Sequence, residues 1–206
     1  MGVASWSHGI CALAHGVLAV ALFFGSRQTR ARQMLGLTVA LIAVWAASVV
    51  FDARITFYAD LDEWLEMART LGIIGFTIFL IRRSFPAQGL GLALEVALAA
   101  LALAWTFALF AGGVVMGAQA IDLVRLSGAV FGLICLENLV RNTNPERRWS
   151  IKFGATGLGL ILAYDLVLHL VAALFGRADE DLWAARGLVD AFAVPLLLVS
   201  AARNPN

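Results

Sequence analysis

Carboxylate and basic side chains lie inside long apolar runs of this sequence, at spacings that place them on one face of a helix. Residues 159–175, GLILAYDLVLHLVAALF, are apolar except for a carboxylate and an imidazole, Asp165 and His169, four residues apart. Such a pair can hold or transfer a proton. Inside a membrane, each charged group also requires a partner or a water-filled cavity.

Similar spacing recurs in three other runs, where an acid and an arginine stand three or four residues apart. These pairs are Glu66 with Arg69, Asp122 with Arg125, and Arg186 with Asp190. Because residues at these separations are neighbours on a helix, the sequence predicts that each acid is neutralised by a base on its own helix. Glu95 has no such neighbour, so its predicted partner is Arg69 or Arg125 on another helix.

Two interpretations of these residues remain open. The pairs either fix helix packing as neutralised buried polarity, or they line a polar cavity that opens toward the outer half of the membrane and binds a ligand or moves a proton. The candidate polar site comprises eight residues: Asp165, Arg186, Asp190, Asp122, Arg125, Glu95, Arg69 and His169.

A second group, His8, Cys11 and His15, also falls on one helical face and offers ligand types suited to a metal or haem. A tetrahedral site needs further ligands and supporting hydrogen bonds that the sequence does not identify, so we predict structural histidines and no cofactor. The motifs of zinc proteases, nucleotide-binding loops and serine hydrolases are absent, and we predict that the chain is not an enzyme.

The amino-acid composition indicates whether water or lipid surrounds these apolar runs. Of the 206 residues, 61% are hydrophobic and 14% are charged, and the mean hydropathy is +0.86. A soluble domain carries about 25% charged residues, so the composition predicts a membrane protein whose surroundings are the lipid bilayer. The near balance of 15 basic and 14 acidic residues excludes the concentrated basic face that nucleic acid requires.

The apolar runs predict an all-α, polytopic transmembrane bundle of about seven spans. A span needs roughly 20 apolar residues, and helices satisfy their backbone hydrogen bonds internally in lipid. The predicted spans are residues 6–25, 34–51, 64–81, 90–111, 120–140, 151–175 and 182–202.

The arginines predict the orientation of these spans. The connections 26–33, 82–89 and 141–152, with the tail at Arg203, hold ten of the 15 basic residues. The alternate connections hold only Arg54 and Arg177. Because basic residues remain on the cytoplasmic side, we expect an external amino terminus and a cytoplasmic carboxyl terminus.

Four segments of the last third carry a resemblance to a known family. They are RN...ERRW.IKF (141–153), AYDL (163–166), DLWAARG (181–187) and VPLLLVSAARNP (194–205). Together they resemble the amino-terminal membrane region of sensor histidine kinases of the PEP-CTERM/exosortase system, the PrsK type. Asp165 and Arg186 fall within the resembling segments, whereas His169 is not carried over. We therefore predict that Asp165 and Arg186 meet between the sixth and seventh helices.

The resemblance implies a single transmembrane sensor domain over residues 1–206, in the inner membrane of a bacterium. It would relay a signal, by helix repacking, to a cytoplasmic kinase part that this chain lacks. The kinase would act as a homodimer on a response regulator that controls exopolysaccharide genes, and the ligand is not specified. The alternative from the residues alone is a small carrier, channel or cofactor-binding membrane protein that uses the buried charges.

Overall fold

The computed structural model describes residues 2–25, 28–52, 61–84, 90–111 and 117–203. Over these residues the chain forms seven α-helices, which confirms the predicted all-α fold. Their bounds are α1 Val3–Phe24, α2 Arg30–Asp52, α3 Leu61–Ser84, α4 Leu90–Ala111, α5 Gly117–Asn142, α6 Pro145–Phe175 and α7 Glu180–Arg203. Arg27 and Arg54, which enter the topology prediction, lie outside the described residues.

Within the described residues, seven helices are long and apolar enough to cross a membrane. Large apolar side chains such as Leu13, Leu103, Phe110 and Phe192 are 70–74% exposed. Because lipid favours such surfaces and water does not, these features indicate a multi-pass membrane protein.

The sixth helix begins at Pro145, six residues before the predicted start, so residues 145–150 belong to a helix rather than to a connection. Proline suits a first helical turn because its fixed φ is helical and its missing N–H would have no partner there. Gly176 caps the end of this helix, and its positive φ of 70° allows its N–H to donate to the carbonyl of Ala172. The short connection then leads directly into α7.

Consecutive helices run antiparallel, with α3 at the centre of the bundle. In α3, 50% of the most apolar stretch is buried, whereas in α4 the fraction is 17%. Helix α4 lies at the edge of the bundle and contacts α3 and α5. One apolar core joins α1, α2, α3, α5, α6 and α7, and a smaller one lies between α3, α4 and α5. Cys11 and Cys135 are free and buried in these cores, as expected of small core residues.

Glycines allow α7 to approach its neighbours closely. A Cβ atom at Gly187 would lie 2.6 Å from the backbone nitrogen of His8, so only glycine fits where α7 meets α1. On the other side of α7, a Cβ at Gly157 of α6 would lie 3.2 Å from the carbonyl oxygen of Ala193. Small residues serve this purpose in membranes because packing, rather than the hydrophobic effect, drives helix association.

Gly128 and Gly132, four residues apart on α5, contact different neighbouring helices. Gly128 is closest to Trp105 of α4 and Thr70 of α3, whereas Gly132 is closest to Leu162 of α6. The glycines thus bring α5 against three helices.

Candidate functional site

Five ionisable side chains from three helices meet in the interior of the bundle. Glu66 and Arg69 come from α3, Asp165 from α6, and Arg186 and Asp190 from α7. Each is no more than 2% exposed. On α3 and α7, the spacing of three and four residues directs both members inward from the same helical face. We call these five residues the buried charge network.

Asp165 is the centre of the buried charge network because it binds both arginines. Its Oδ2 accepts a hydrogen bond from Nη1 of Arg69 at 2.9 Å, and its Oδ1 accepts one from Nε of Arg186 at 2.8 Å. The predicted contact between Asp165 and Arg186 is therefore confirmed. Asp165 also joins α6 to both α3 and α7.

The two arginines extend the network in opposite directions. Nη2 of Arg69 donates to Oδ2 of Asp190 at 2.7 Å. Nη2 of Arg186 donates to Oε1 of Glu66, also at 2.7 Å, and Nε2 of His169 lies 3.3 Å from that oxygen. Charges therefore alternate along the network from Asp190, which contacts Arg69, to Glu66, which contacts Arg186 and His169.

Arg125 of α5 connects Glu66 to the end of the bundle where α3 and α5 begin. Its Nη2 lies 3.5 Å from Oε2 of Glu66 and pairs with Glu63, while its Nη1 donates to Asp122 at 3.1 Å. The side chains of Glu63 and Asp122 are 30% and 15% exposed. The ionic contacts thus continue from the buried interior to partly accessible carboxylates.

A buried tryptophan from α2 covers both arginines. The ring centre of Trp45 lies 4.4 Å from Cζ of Arg69 and 4.6 Å from Cζ of Arg186. Trp183 of α7 adds a second ring 5.2 Å from Arg186, and His8 of α1 lies beside both indoles. These cation–π contacts stabilise desolvated guanidinium groups.

The histidines of α1 are oriented by the backbone of their own helix. Nδ1 of His8 lies 2.8 Å from the carbonyl of Ala4, and Nδ1 of His15 lies 3.2 Å from that of Cys11. Because a carbonyl oxygen only accepts hydrogen bonds, both Nδ1 atoms carry the hydrogen. In the described part of the chain, no three histidine, cysteine or acidic side chains are arranged to hold a metal ion.

Most of the predicted same-helix pairs are wrong. Only Asp122 with Arg125 is present as predicted. The other residues pair across helices instead. Neighbours on one helix extend inward in parallel, so their charged ends stay apart, whereas side chains from facing helices meet end to end. A guanidinium can then bind two carboxylates at once. His169 likewise contacts Glu66 of α3 rather than its neighbour Asp165.

Glu95 does not belong to the buried charge network, and its predicted partners are wrong. It pairs with Arg82 at the end of α3, and the two side chains are 39% and 58% exposed. Because Glu95 lies near the start of α4, it is level with the end of α3, whereas Arg69 and Arg125 lie toward the opposite end of the bundle.

Trp45, Trp183 and Glu63 are residues of the site that sequence reasoning missed. Tryptophan in a membrane protein usually indicates the interface with water, and Trp183 and Glu63 stand near helix starts. One feature of the sequence could have indicated a buried role for Trp45: it stands inside its apolar run, several residues from either end.

The fold and site define a seven-helix bundle of membrane-spanning dimensions whose interior is joined by ionic contacts among α3, α6 and α7. Comparison of the chain with protein-family models, curated proteins and solved structures gives no match.

Proposed function

We propose that this protein is the membrane input module of a signalling protein, a two-component sensor histidine kinase, and that α7 carries the signal. The observation that supports this role is the contrast between the two halves of α7. One half is held by the buried charge network, and the other half packs through small apolar contacts beside a cavity.

The first half of α7 is held on three sides. Arg186 and Asp190 contact α6 and α3 through the network. On the side of α1, the backbone N–H of Leu188 donates to Oγ of Ser7 at 3.0 Å, next to the close approach at Gly187. Moving this half of α7 would therefore break its hydrogen bonds to α1, α3 and α6 at the same time.

The second half of α7 lies outside the buried charge network and borders a cavity. A cavity of about 50 Å³ lies beside Leu197, Ser200 and Ala201, with further apolar walls from α2, α3, α5 and α6. Pro195 stands between the two halves and has no N–H for a helical hydrogen bond. A helix with these features can bend or shift at its second half while its first half responds to a ligand.

The basic residues support one direction of signalling. Among the described residues, nine lie at the starts of α2 and α6 or at the ends of α3, α5 and α7, which is one end of the bundle: Arg30, Arg32, Arg82, Arg83, Arg141, Arg147, Arg148, Lys152 and Arg203. We assign this end to the cytoplasm of a bacterium, by the positive-inside rule. The second half of α7 then leads to the side where a kinase would act.

The resemblance to PrsK-type sensor kinases supports the same role. In this proposal the full-length protein acts as a homodimer, and its kinase part phosphorylates a response regulator that controls genes of the PEP-CTERM/exosortase system. A change in the buried charge network shifts the population of two arrangements of α7 and thereby changes kinase activity.

A fusion of this chain to a cytoplasmic histidine kinase core tests the proposal. Arg186→Gln is expected to change the rate of autophosphorylation in membranes, because it removes two of the contacts that hold α7. Arg141→Gln is the matched control, since Arg141 forms an exposed pair with Glu137. If network variants that remain folded all leave the kinase rate unchanged, the proposed input role is wrong.

A carrier or channel is the second candidate, and one observation supports it. The ionic contacts continue from Asp190 in the interior to the partly accessible Glu63, and such chains of groups occur in ion pathways. Proton or solute flux into liposomes that contain the purified protein would favour this candidate over the input module.

A further inference from the structure

The buried charge network has one more acid than it has arginines. Its three carboxylates, on Glu66, Asp165 and Asp190, face two guanidinium groups, on Arg69 and Arg186. Arg125 does not correct this difference, because it also binds Glu63 and Asp122. An uncompensated negative charge inside a membrane is costly, so the network requires one further positive charge.

The contacts of the three carboxylates indicate where that charge resides. Both oxygens of Asp165 accept N–H groups from arginines. Glu66 contacts Arg186 through Oε1 and Arg125 through Oε2. Asp190 binds Arg69 through Oδ2, but among the described residues its buried Oδ1 has no hydrogen-bond partner. Neutralising Asp190 therefore disturbs the fewest ionic contacts.

We propose that the buried charge network is a proton-binding site and that the proton resides on Oδ1 of Asp190. The proton comes from the aqueous phase, and its binding converts a carboxylate into a neutral carboxyl group without breaking the bond from Arg69 to Oδ2. This proposal names the ligand of the input module, and its signalling consequence rests on that proposed function.

The surroundings of Asp190 support a proton rather than a metal ion. The described residues hold no set of three metal-ligating side chains. Asp190 is 0% exposed, and two guanidinium groups lie close to it. A divalent ion there would be repelled by both arginines, whereas a proton adds no bulk. His169 lies against Glu66 instead, with its Nε2 3.3 Å from Oε1 of that residue.

The titratable and charged groups around this site come from five helices, while α2 contributes the uncharged Trp45. They are His8, Cys11 and His15 of α1, Glu66 and Arg69 of α3, Arg125 of α5, Tyr164, Asp165 and His169 of α6, and Arg186 of α7.

Infrared spectroscopy of the full chain in lipid nanodiscs tests the proposal directly. A protonated carboxyl group gives a C=O stretching band that a carboxylate lacks. We expect this band at neutral pH in the wild type and in Asp122→Asn, a control acid outside the network, and its loss in Asp190→Asn. His169→Gln keeps a side-chain N–H donor and is expected to keep the band. A band that persists unchanged in Asp190→Asn overturns the assignment to Asp190.

Thermal stability provides a second readout. An asparagine resembles a neutral aspartic acid in shape, so Asp190→Asn is expected to match the wild-type Tm at neutral pH. Asp165→Asn is the same substitution, but it removes a carboxylate that binds two arginines, and we expect a Tm about 10 °C lower. Equal losses of Tm in the two variants contradict the proposal.

The sign of the pH dependence follows from proton linkage. Near neutral pH, the folded protein holds a proton on Asp190 that the unfolded chain releases, so the Tm of the wild type falls as pH rises. Asp190→Asn lacks this proton, so its Tm exceeds that of the wild type at alkaline pH. If the Tm instead follows the concentration of Na⁺ at constant pH, with choline as the control cation, the ligand is a metal cation and the proton assignment is wrong.

The outcomes separate this site from the input role. If the carboxyl band behaves as expected but no network variant changes the autophosphorylation rate of the kinase fusion, the proton site stands and the input role fails. If the fusion responds to Arg186→Gln while the band is absent from the wild type, the input role stands and the proton site fails.

Discussion

The two halves of α7 are held by different kinds of contact. Its first half carries Arg186 and Asp190, which bind carboxylate and guanidinium groups of α3 and α6. Its second half packs small and aliphatic side chains against Gly154 and Gly157 of α6, beside a cavity of about 50 Å³. Ionic contacts are directional and fail when one partner is removed, whereas apolar contacts tolerate small displacements. One helix therefore combines a fixed half with an adaptable half.

The largest expected effect comes from reversing charges in the first half. Asp165→Arg and Arg186→Asp should each lower the free energy of unfolding by at least about 3–5 kcal/mol, because buried charges lose their partners. Combining them should not restore stability, since an arginine at position 165 faces Arg69 and an aspartate at position 186 faces Glu66. Unfolding in detergent, followed by circular dichroism, measures the effect.

Rescue by that double exchange would mean that Asp165 and Arg186 form an isolated pair rather than part of a network. The control is the exchange of Glu137 and Arg141, an exposed pair on α5. Because exposed pairs contribute about 0–1 kcal/mol, this exchange should leave stability nearly unchanged.

A slightly smaller effect is expected where α7 meets α1. Gly187→Ala places a Cβ atom 2.6 Å from backbone atoms of Ser7 and His8, so the helices must separate. Overpacking of this kind costs about 1–3 kcal/mol. Gly16→Ala is the matched control, because a Cβ at Gly16 of α1 meets nothing within 4 Å. Equal melting temperatures for the two variants would contradict the close approach.

Trp45→Phe tests the aromatic cover of the two arginines. The phenyl ring retains much of the volume but interacts less strongly with cations, so we expect a loss of about 1 kcal/mol. Trp105→Phe is the control, since Trp105 is equally buried and its described contacts include Gly128 and no arginine. A larger loss for Trp105→Phe would argue against a cation–π role for Trp45.

The smallest effect is expected in the second half of α7. Ala201→Val adds methyl groups beside the cavity and should stabilise the protein by about 1 kcal/mol or less, the scale expected of 50 Å³. Ala99→Val on the exposed face of α4 is the control. Destabilisation by Ala201→Val would show that this half is tightly packed, and the contrast between the halves of α7 would then disappear.

The sequence predicts the helices well because lipid allows few alternatives to a long apolar helix. The start of α6 is missed because residues 145–150, PERRWS, include three charged residues and continue the helix beyond the apolar run. The length of an apolar run therefore does not show how far the helix extends beyond it into polar residues.

The members of the site are predicted better than their partners. Glu66, Arg69, Asp165, Arg186 and Asp190 are conspicuous because charges are rare in apolar runs. Their pairing depends on which helices are neighbours and on how each is rotated, and neither property appears in a single sequence. The predictions therefore assign Arg69 to Glu66, whereas the fold brings Arg69 to Asp165 and Asp190.

Double-mutant cycles provide the most direct test of pairing across helices. The account predicts a coupling energy of at least about 1 kcal/mol between Asp165→Asn and Arg186→Gln, which remove contacting groups on α6 and α7. It predicts a clearly smaller coupling between Arg186→Gln and Asp190→Asn, which lie on the same helix. A coupling near zero across the helices, with a large one along α7, would contradict the buried charge network.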